Sequence, residues 1–277
     1  MLSRSIAIIK LMLVITSVNS MAQKSENRSA FEILEDDFSS AFDDLGFIYR
    51  DISTFDSYTA IKLGTIGLGT LALVPLDEPL YNYVENNKIK GSTEENIFKV
   101  VDQFGTIPVA DGLAVGTYIT GLIIGDEYIR TTGRLMVETL VLSGFITITS
   151  RVIIGRSRPY NRIGNGTFKP FTFDFLYHSF PSGHITISFA LATILSNRIN
   201  RWWASIGLYT IAAMNTAARV YFSEHWASDT FISASVGLLS AIAVIKAYEN
   251  SIRKSEVDES NINFGISPFG FQFQYRF

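Results

Sequence analysis

The sequence predicts an all-α bundle of six helices embedded in a membrane, preceded by a signal segment and followed by a short β-like tail. Composition is the first observation behind this. Hydrophobic residues make up 47% of the 277 and charged residues 18%, and mean hydropathy is +0.23. That balance fits a membrane protein or an unusually buried helical bundle better than an ordinary soluble domain. The second observation is a succession of six apolar stretches between polar turns, at 60–76, 107–125, 135–154, 184–196, 202–222 and 230–248. The third is their periodicity. They lack the two-residue alternation of strands, and their lengths, about 13 to 21 residues, approach the roughly 20 that cross a bilayer.

The elements follow in chain order. Residues 1–22 read as a secretory signal: Arg4 and Lys10 supply positive charge, Leu11 to Val18 is apolar, and Ser20-Met21-Ala22 is a small-x-small cleavage pattern. Cleavage would leave a mature start near Gln23; an uncleaved membrane anchor is the alternative. Residues 23–59 are polar and acidic, with Glu35-Asp36-Asp37 and Asp43-Asp44 among scattered aromatics, and read as a surface or interfacial helical segment. Residues 60–250 form the main domain. Its stretches are rich in Gly, Ala, Ser and Thr, which let helices approach closely in lipid. Asp126, Glu127, Arg130 and Arg134, between the second and third stretches, read as a solvated turn. The loop from Asn161 to Phe180 is long enough to shape the entrance to a site. Trp202-Trp203 beside Arg198 and Arg201 reads as an interfacial aromatic belt.

The tail, 251–277, differs in pattern. From Phe269 to Phe277 aromatics alternate with small or polar residues, which is strand periodicity. It resembles the last strand of an outer-membrane barrel, but no run of similar segments precedes it, so an edge strand or a frayed tail is the favoured reading.

Several function classes drop out on composition. A net charge of −3 gives no electrostatic case for nucleic-acid binding. The absence of cysteine excludes disulfides, thiolate metal sites and cysteine nucleophiles.

The chemistry concentrates in three strings. In Arg151-Val152-Ile153-Ile154-Gly155-Arg156-Ser157-Arg158-Pro159, the spacing of Arg151, Gly155 and Arg158 predicts one helix face, ended by Pro159. Two guanidiniums on one face can fork onto a single tetrahedral anion, or can snorkel at a membrane interface. Pro181-Ser182-Gly183-His184 reads as a helix start, with Ser182 as cap and Gly183 admitting close approach of a ligand. Free N–H groups there favour an anion, and His184 on the first turn is placed to reach a phosphate ester. A capped helix with an incidental histidine is the plainer reading. In the third string, Arg219 to Asp229, His225 and Asp229 are spaced as neighbours on a helix face. A carboxylate there can fix the imidazole tautomer and free the other ring nitrogen as a nucleophile; a surface His–Asp pair is the alternative. Arg219 lies across an expected bend and can add a third cationic contact. His178 reads as structural, or as part of the entrance.

Taken in order, R-x6-RP, PSGH and R-x5-H-x3-D resemble the type 2 phosphatidic acid phosphatase (PAP2) family. That family shares its site with vanadium haloperoxidases and class A acid phosphatases. Its pattern has Lys where this chain has Arg151, and Ser where this chain has Ala218. The first change keeps the charge but swaps a point donor for a fork; the second removes a hydroxyl. The motifs cover about 135–248, and the helix layout extends the likeness back to about 60.

The resemblance implies a metal-independent phosphoric ester hydrolase without cofactor. Arg151, Arg158, Ser182, Gly183 and Arg219 would hold the phosphoryl oxygens, His225 would attack phosphorus, His184 would protonate the leaving oxygen and Asp229 would hold His225. The apolar surroundings favour a lipid phosphate: phosphatidate-like, undecaprenyl diphosphate or lipid A phosphate. A phosphotransferase is the runner-up, a haloperoxidase would be expected to be longer and soluble, and a non-enzymatic outer-membrane-associated protein is the rival of another class. The motifs fall on one side of the bundle and Arg130, Arg134, Arg198, Arg201, Arg253 and Lys254 on the other, which places the site on the periplasmic face of the inner membrane. Six spans and a cleaved signal are incompatible with that orientation. Either 60–76 is interfacial, or the signal stays, or the bundle is soluble and periplasmic.

Overall fold

The computed structural model describes residues 29–54, 56–260, 262–267 and 270–275, with side chains through 254. The expected signal segment therefore lies outside the described residues, as do Phe269 and Phe277 of the tail. Helix α1 spans Ala30–Ser53, α2 Ser57–Leu73, α3 Asp77–Asn87, α4 Thr93–Asp102, α5 Ile107–Ile124, α6 Glu127–Ile154, α7 Gly183–Ile199, α8 Trp202–Tyr221 and α9 Ala227–Ser260. Two strands close the chain, β1 (Ile262–Ser267) and β2 (Gly270–Tyr275), paired antiparallel from Ile262↔Tyr275 to Ser267↔Gly270.

Each apolar stretch is helical over nearly all its length, but the layout is not six equal spans. Among the described residues four segments are long and apolar enough to cross a membrane: Ser57–Asn87, Ile107–Ile124, Glu127–Ile154 and Ala227–Lys254. α7 has 17 residues and is the central helix, packed against α6, α8 and α9. Its buried positions are mainly small or hydroxylated: Thr186, Ser188, Ala190, Ala192 and Thr193. Large apolar side chains such as Leu68, Leu71, Val141, Phe145, Ile148 and Ile206 point outward instead. Small residues inside and large ones outside is the pattern of helices that pack in lipid rather than water. Gly237 of α9 shows why: a Cβ there would fall 2.2 Å from the Thr186 carbonyl of α7.

The charged group at 126–134 is not a solvated turn. Asp126 caps α6, accepting from the Ile129 amide at 2.9 Å, and the remaining three residues lie on its first turns. Arg134 is buried, 3.3 Å from Asp44 of α1 and 3.2 Å from Glu138. The turn reading failed because α1 supplies the counter-charge, a tertiary pairing that composition does not reveal. α1 docks at the end of the bundle where α5 finishes, with Ala30 and Ile33 clustered on Leu122, and it also packs against α9. The three motif strings meet at the other end.

Candidate active site

Four helix ends converge there: the C-termini of α6 and α8 and the N-termini of α7 and α9. Local backbone differs from the simple helical phasing expected. α6 stops at Ile154, because Gly155 adopts a left-handed conformation (φ 60°). A Cβ at Gly155 would lie 1.8 Å from the Lys169 carbonyl, so glycine is needed both for the turn and for the passing loop. Arg158 thus leaves the α6 face and sits in extended backbone ahead of a short 3₁₀ turn containing Pro159. α9 begins at Ala227, so His225 lies in the turn before it rather than on its face. Ser182 occupies the N-cap position of α7, but its side chain makes no capping bond; its amide donates instead to Ser233 Oγ at 2.7 Å.

These departures bring the expected residues together. Arg151 Nε donates to the Pro181 carbonyl at 2.8 Å, which holds its fork beside the start of α7. A Cβ on Gly183 would come within 3.1 Å of Arg151 Nη2, so glycine keeps that approach open. Arg158 pairs with Glu224, and Arg219 pairs with Asp102 at 3.0 Å and Glu224 at 3.4 Å. His184 Nε2 lies 3.8 Å from Asp102 Oδ2. Both His184 and His225 sit in the field of the same three guanidiniums, Arg151, Arg158 and Arg219. Arg158 Nε, Arg219 Nε and Ser182 Oγ are buried without an acceptor among the described residues. Buried unpaired donors are costly, and here they belong to groups suited to phosphoryl oxygens.

His225 is oriented differently from the expectation. Its Nδ1 lies 2.6 Å from the Ser179 carbonyl and 3.9 Å from Asp229 Oδ2, beyond hydrogen-bonding range. The carbonyl can only accept, so Nδ1 carries the proton and Nε2 keeps its lone pair. Asp229 acts one step removed. Its carboxylate accepts from the Ser179 hydroxyl, from the Trp226 amide at 2.9 Å and from Arg156. The expected i, i+4 pairing failed because α9 starts after His225. Burial, reinforced by Arg158, Arg219 and Arg151, holds the His225 imidazole well below the ordinary histidine range, so it is neutral at pH 7.

Arg156, Asp77, Asp102, Glu224 and Ser179 were not assigned from sequence. Arg156 is buried, bonded to Asp77 at 2.6 Å, to Ser228 Oγ at 2.7 Å and to Asp229. Asp77 of α3 also accepts from the Ser228 amide at 2.8 Å. Arg156 and Glu224 lie inside the motif strings but outside the spacing that marks the other site residues, and Asp77 and Asp102 carry no local signal. His178 is buried, with Nε2 3.0 Å from the Thr172 carbonyl, which is the structural role expected. Trp202 and Trp203 are exposed at the far end.

Arginines and histidines thus gather at one end of a bundle of membrane-length helices. Residues 133–253 match the family model of the PAP2 superfamily. That segment holds all eight expected site residues, and over it the chain is similar to this superfamily.

The chain is 30% identical over 115 residues to a lipid A 1-phosphatase of Porphyromonas gingivalis, covering 40% of this chain and 23% of that protein. It is 29% identical over 121 residues to a lipid A 1-phosphatase of Rhizobium etli, covering 42% and 51%. It thus spans about a quarter and about half of the length of these curated relatives. The crystal structure of a transmembrane PAP2-type phosphatidylglycerolphosphate phosphatase from Bacillus subtilis superposes with a TM-score of 0.53 at 18% identity, covering 68% of this chain and 96% of that one. At that identity the likeness speaks for the fold.

Proposed function

We propose that this chain is a membrane phosphatase that hydrolyses a lipid phosphate, either a phosphomonoester or a diphosphate, through a phosphohistidine at His225. One observation carries the lipid assignment. A groove of about 500 Å³ between α5, α6 and α7 is lined by Val115, Leu140, Phe145 and Ile148 and reaches Arg151 and Gly183 of the anion site. An apolar tail in the groove would place its phosphate among the arginines. The names of the curated relatives support the same class, and phosphatidate-like lipids, undecaprenyl diphosphate and lipid A phosphate all fit it.

The reaction follows from the side chains. Arg151, Arg158, Arg219, Ser182 and the Gly183 amide hold the phosphoryl oxygens and neutralise their charge. His225 Nε2 attacks phosphorus, the bond to the lipid oxygen breaks, and that oxygen takes a proton from His184. Burial and the Arg219 guanidinium lower the His184 pKa to about 4 against the pull of Asp102, and the negative charge of a bound phosphoryl group would add to that pull and favour the proton this step needs. Water then attacks phosphorus and gives its proton to His184, the phosphorus–nitrogen bond breaks, and phosphate leaves. Asp229 steadies His225 through Ser179. The three guanidiniums do the work that a metal does in many phosphatases. The site would face the periplasm, since Arg130, Arg134, Arg198 and Arg201 gather at the opposite end.

The test is phosphate release from a panel of lipid and soluble phosphoesters. Wild type is expected to favour the lipids and to keep its rate in EDTA, while His225→Ala loses about a thousandfold or more. Equal release by both proteins would overturn the assignment, and loss in EDTA with recovery on Mg²⁺ would overturn metal independence.

A further inference from the structure

Helix α1 is the part of the molecule that the proposed chemistry leaves unused. It has three faces. One is docked: Ala30, Ile33 and Ile48 are buried, Asp37 accepts from Tyr118 at 2.7 Å and pairs with Arg130 at 3.1 Å, and Asp44 pairs with Arg134. A second is acidic and exposed, with Glu32 and Asp43. The third is apolar and exposed: Phe31 is 72% accessible, Phe38 67%, Phe42 58% and Tyr49 76%. At about 100° per residue these four fall within about 40° of one another, a continuous stripe. Phe38 and Phe42 touch, with ring centroids 4.7 Å apart.

The position of α1 selects what covers that stripe. Its first turn shares an apolar cluster with Leu122, at the end of the span Ile107–Ile124, and Asp37 and Asp44 pair with Arg130 and Arg134 on the opening turns of the span Glu127–Ile154. α1 therefore runs across span ends, at the level where the bilayer meets water. Exposed Tyr128, Trp202 and Trp203 lie at the same end of the bundle, which is the composition of an interfacial belt. The stripe and the acidic face point in different directions, as on helices that lie in the plane of a membrane surface.

We propose that α1 is an in-plane membrane anchor: its Phe31–Phe38–Phe42–Tyr49 stripe lies in the headgroup–acyl boundary of the leaflet opposite the active site, while its acidic face stays in water. The two ion pairs to α6 fix its roll so that the aromatics, not the acids, meet the lipid. This is independent of the reaction assigned to the other end of the molecule.

The chain has no cysteine, so single cysteines label cleanly. Phe38→Cys, Phe42→Cys, Ser39→Cys and Asp43→Cys, each carrying a nitroxide, are placed in the full chain reconstituted in phosphatidylcholine–phosphatidylglycerol vesicles. Collision rates are then measured with oxygen, which concentrates in lipid, and with a water-soluble nickel chelate; circular dichroism confirms that each variant is helical. At 38 and 42 the ratio of oxygen to nickel collisions is expected to be several-fold higher than at 39 and 43. Equal ratios at all four positions would overturn the proposal by placing the stripe in water. Protection of 38 and 42 from both reagents would also overturn it, because protein, such as a second copy of the chain, would then cover the stripe. Two positions on the stripe keep the result readable if one variant does not fold.

Discussion

His225 takes its tautomer and charge state from its neighbours. The Ser179 carbonyl fixes the proton on Nδ1, and burial beside three guanidiniums keeps the ring neutral. The folded-state value lies below the unfolded value of about 6.5, so the unfolded chain binds the extra proton first. Stability is therefore full above about pH 6.5 and falls as pH drops below it, by about 1.4 kcal/mol per unit for this group. Thermal unfolding in detergent should show the wild type losing ground to His225→Gln as pH falls from 7 to 5; a constant gap between them would contradict the buried neutral ring. The acid limb of turnover should likewise lie well below 6.5. The identity of this residue was legible in the sequence, but its partner was not. The i, i+4 spacing pointed to Asp229, whereas a backbone carbonyl 46 positions upstream holds the ring.

At the scale of elements, the site depends on α3 reaching across to the α6–α7 connection. Asp77 at the start of α3 closes a buried chain through Arg156 to Asp229 and on to Ser179 and His225. Removing Asp77 leaves Arg156 with Asp229 alone and strips the Ser228 amide of its buried acceptor, at about 1–3 kcal/mol. Asp77→Ala should lower the thermal midpoint by several degrees and reduce turnover together, although Asp77 touches neither histidine. An unchanged midpoint would mean that the network is incidental. The helices themselves were legible from apolar length, because lipid-facing positions leave a strong compositional trace. Their ends were less so. Gly155 terminates α6 four residues before Pro159, the stronger-looking breaker, because the Lys169 carbonyl passes too close for any Cβ. The short amphipathic helices α3 and α4, which bring Asp77 and Asp102 to the site, have no motif and were missed.

The whole molecule separates two ends joined by membrane-length helices: arginines and histidines at one, aromatics and paired acids at the other. The groove that links the lipid-facing surface to Arg151 is open because Gly144 contributes no side chain to its wall. Gly144→Leu should slow release from long-chain lipid phosphates about tenfold or more while sparing a small soluble phosphoester, since it blocks the tail and not the phosphate. Equal losses on both substrates would show that the groove does not hold the tail. The general architecture was readable from six apolar stretches and three strings. The roll of α1 and the burial of Arg134 were not, because both come from pairings between segments some 90 positions apart.

The reading as a histidine phosphatase is tested most directly by trapping the covalent intermediate. Rapid alkaline quench of turnover on a lipid phosphate, followed by peptide mass analysis, should find one phosphoryl group on His225 and none in His225→Ala. Phosphate on any other residue, or full turnover by the His225→Ala protein, would contradict it.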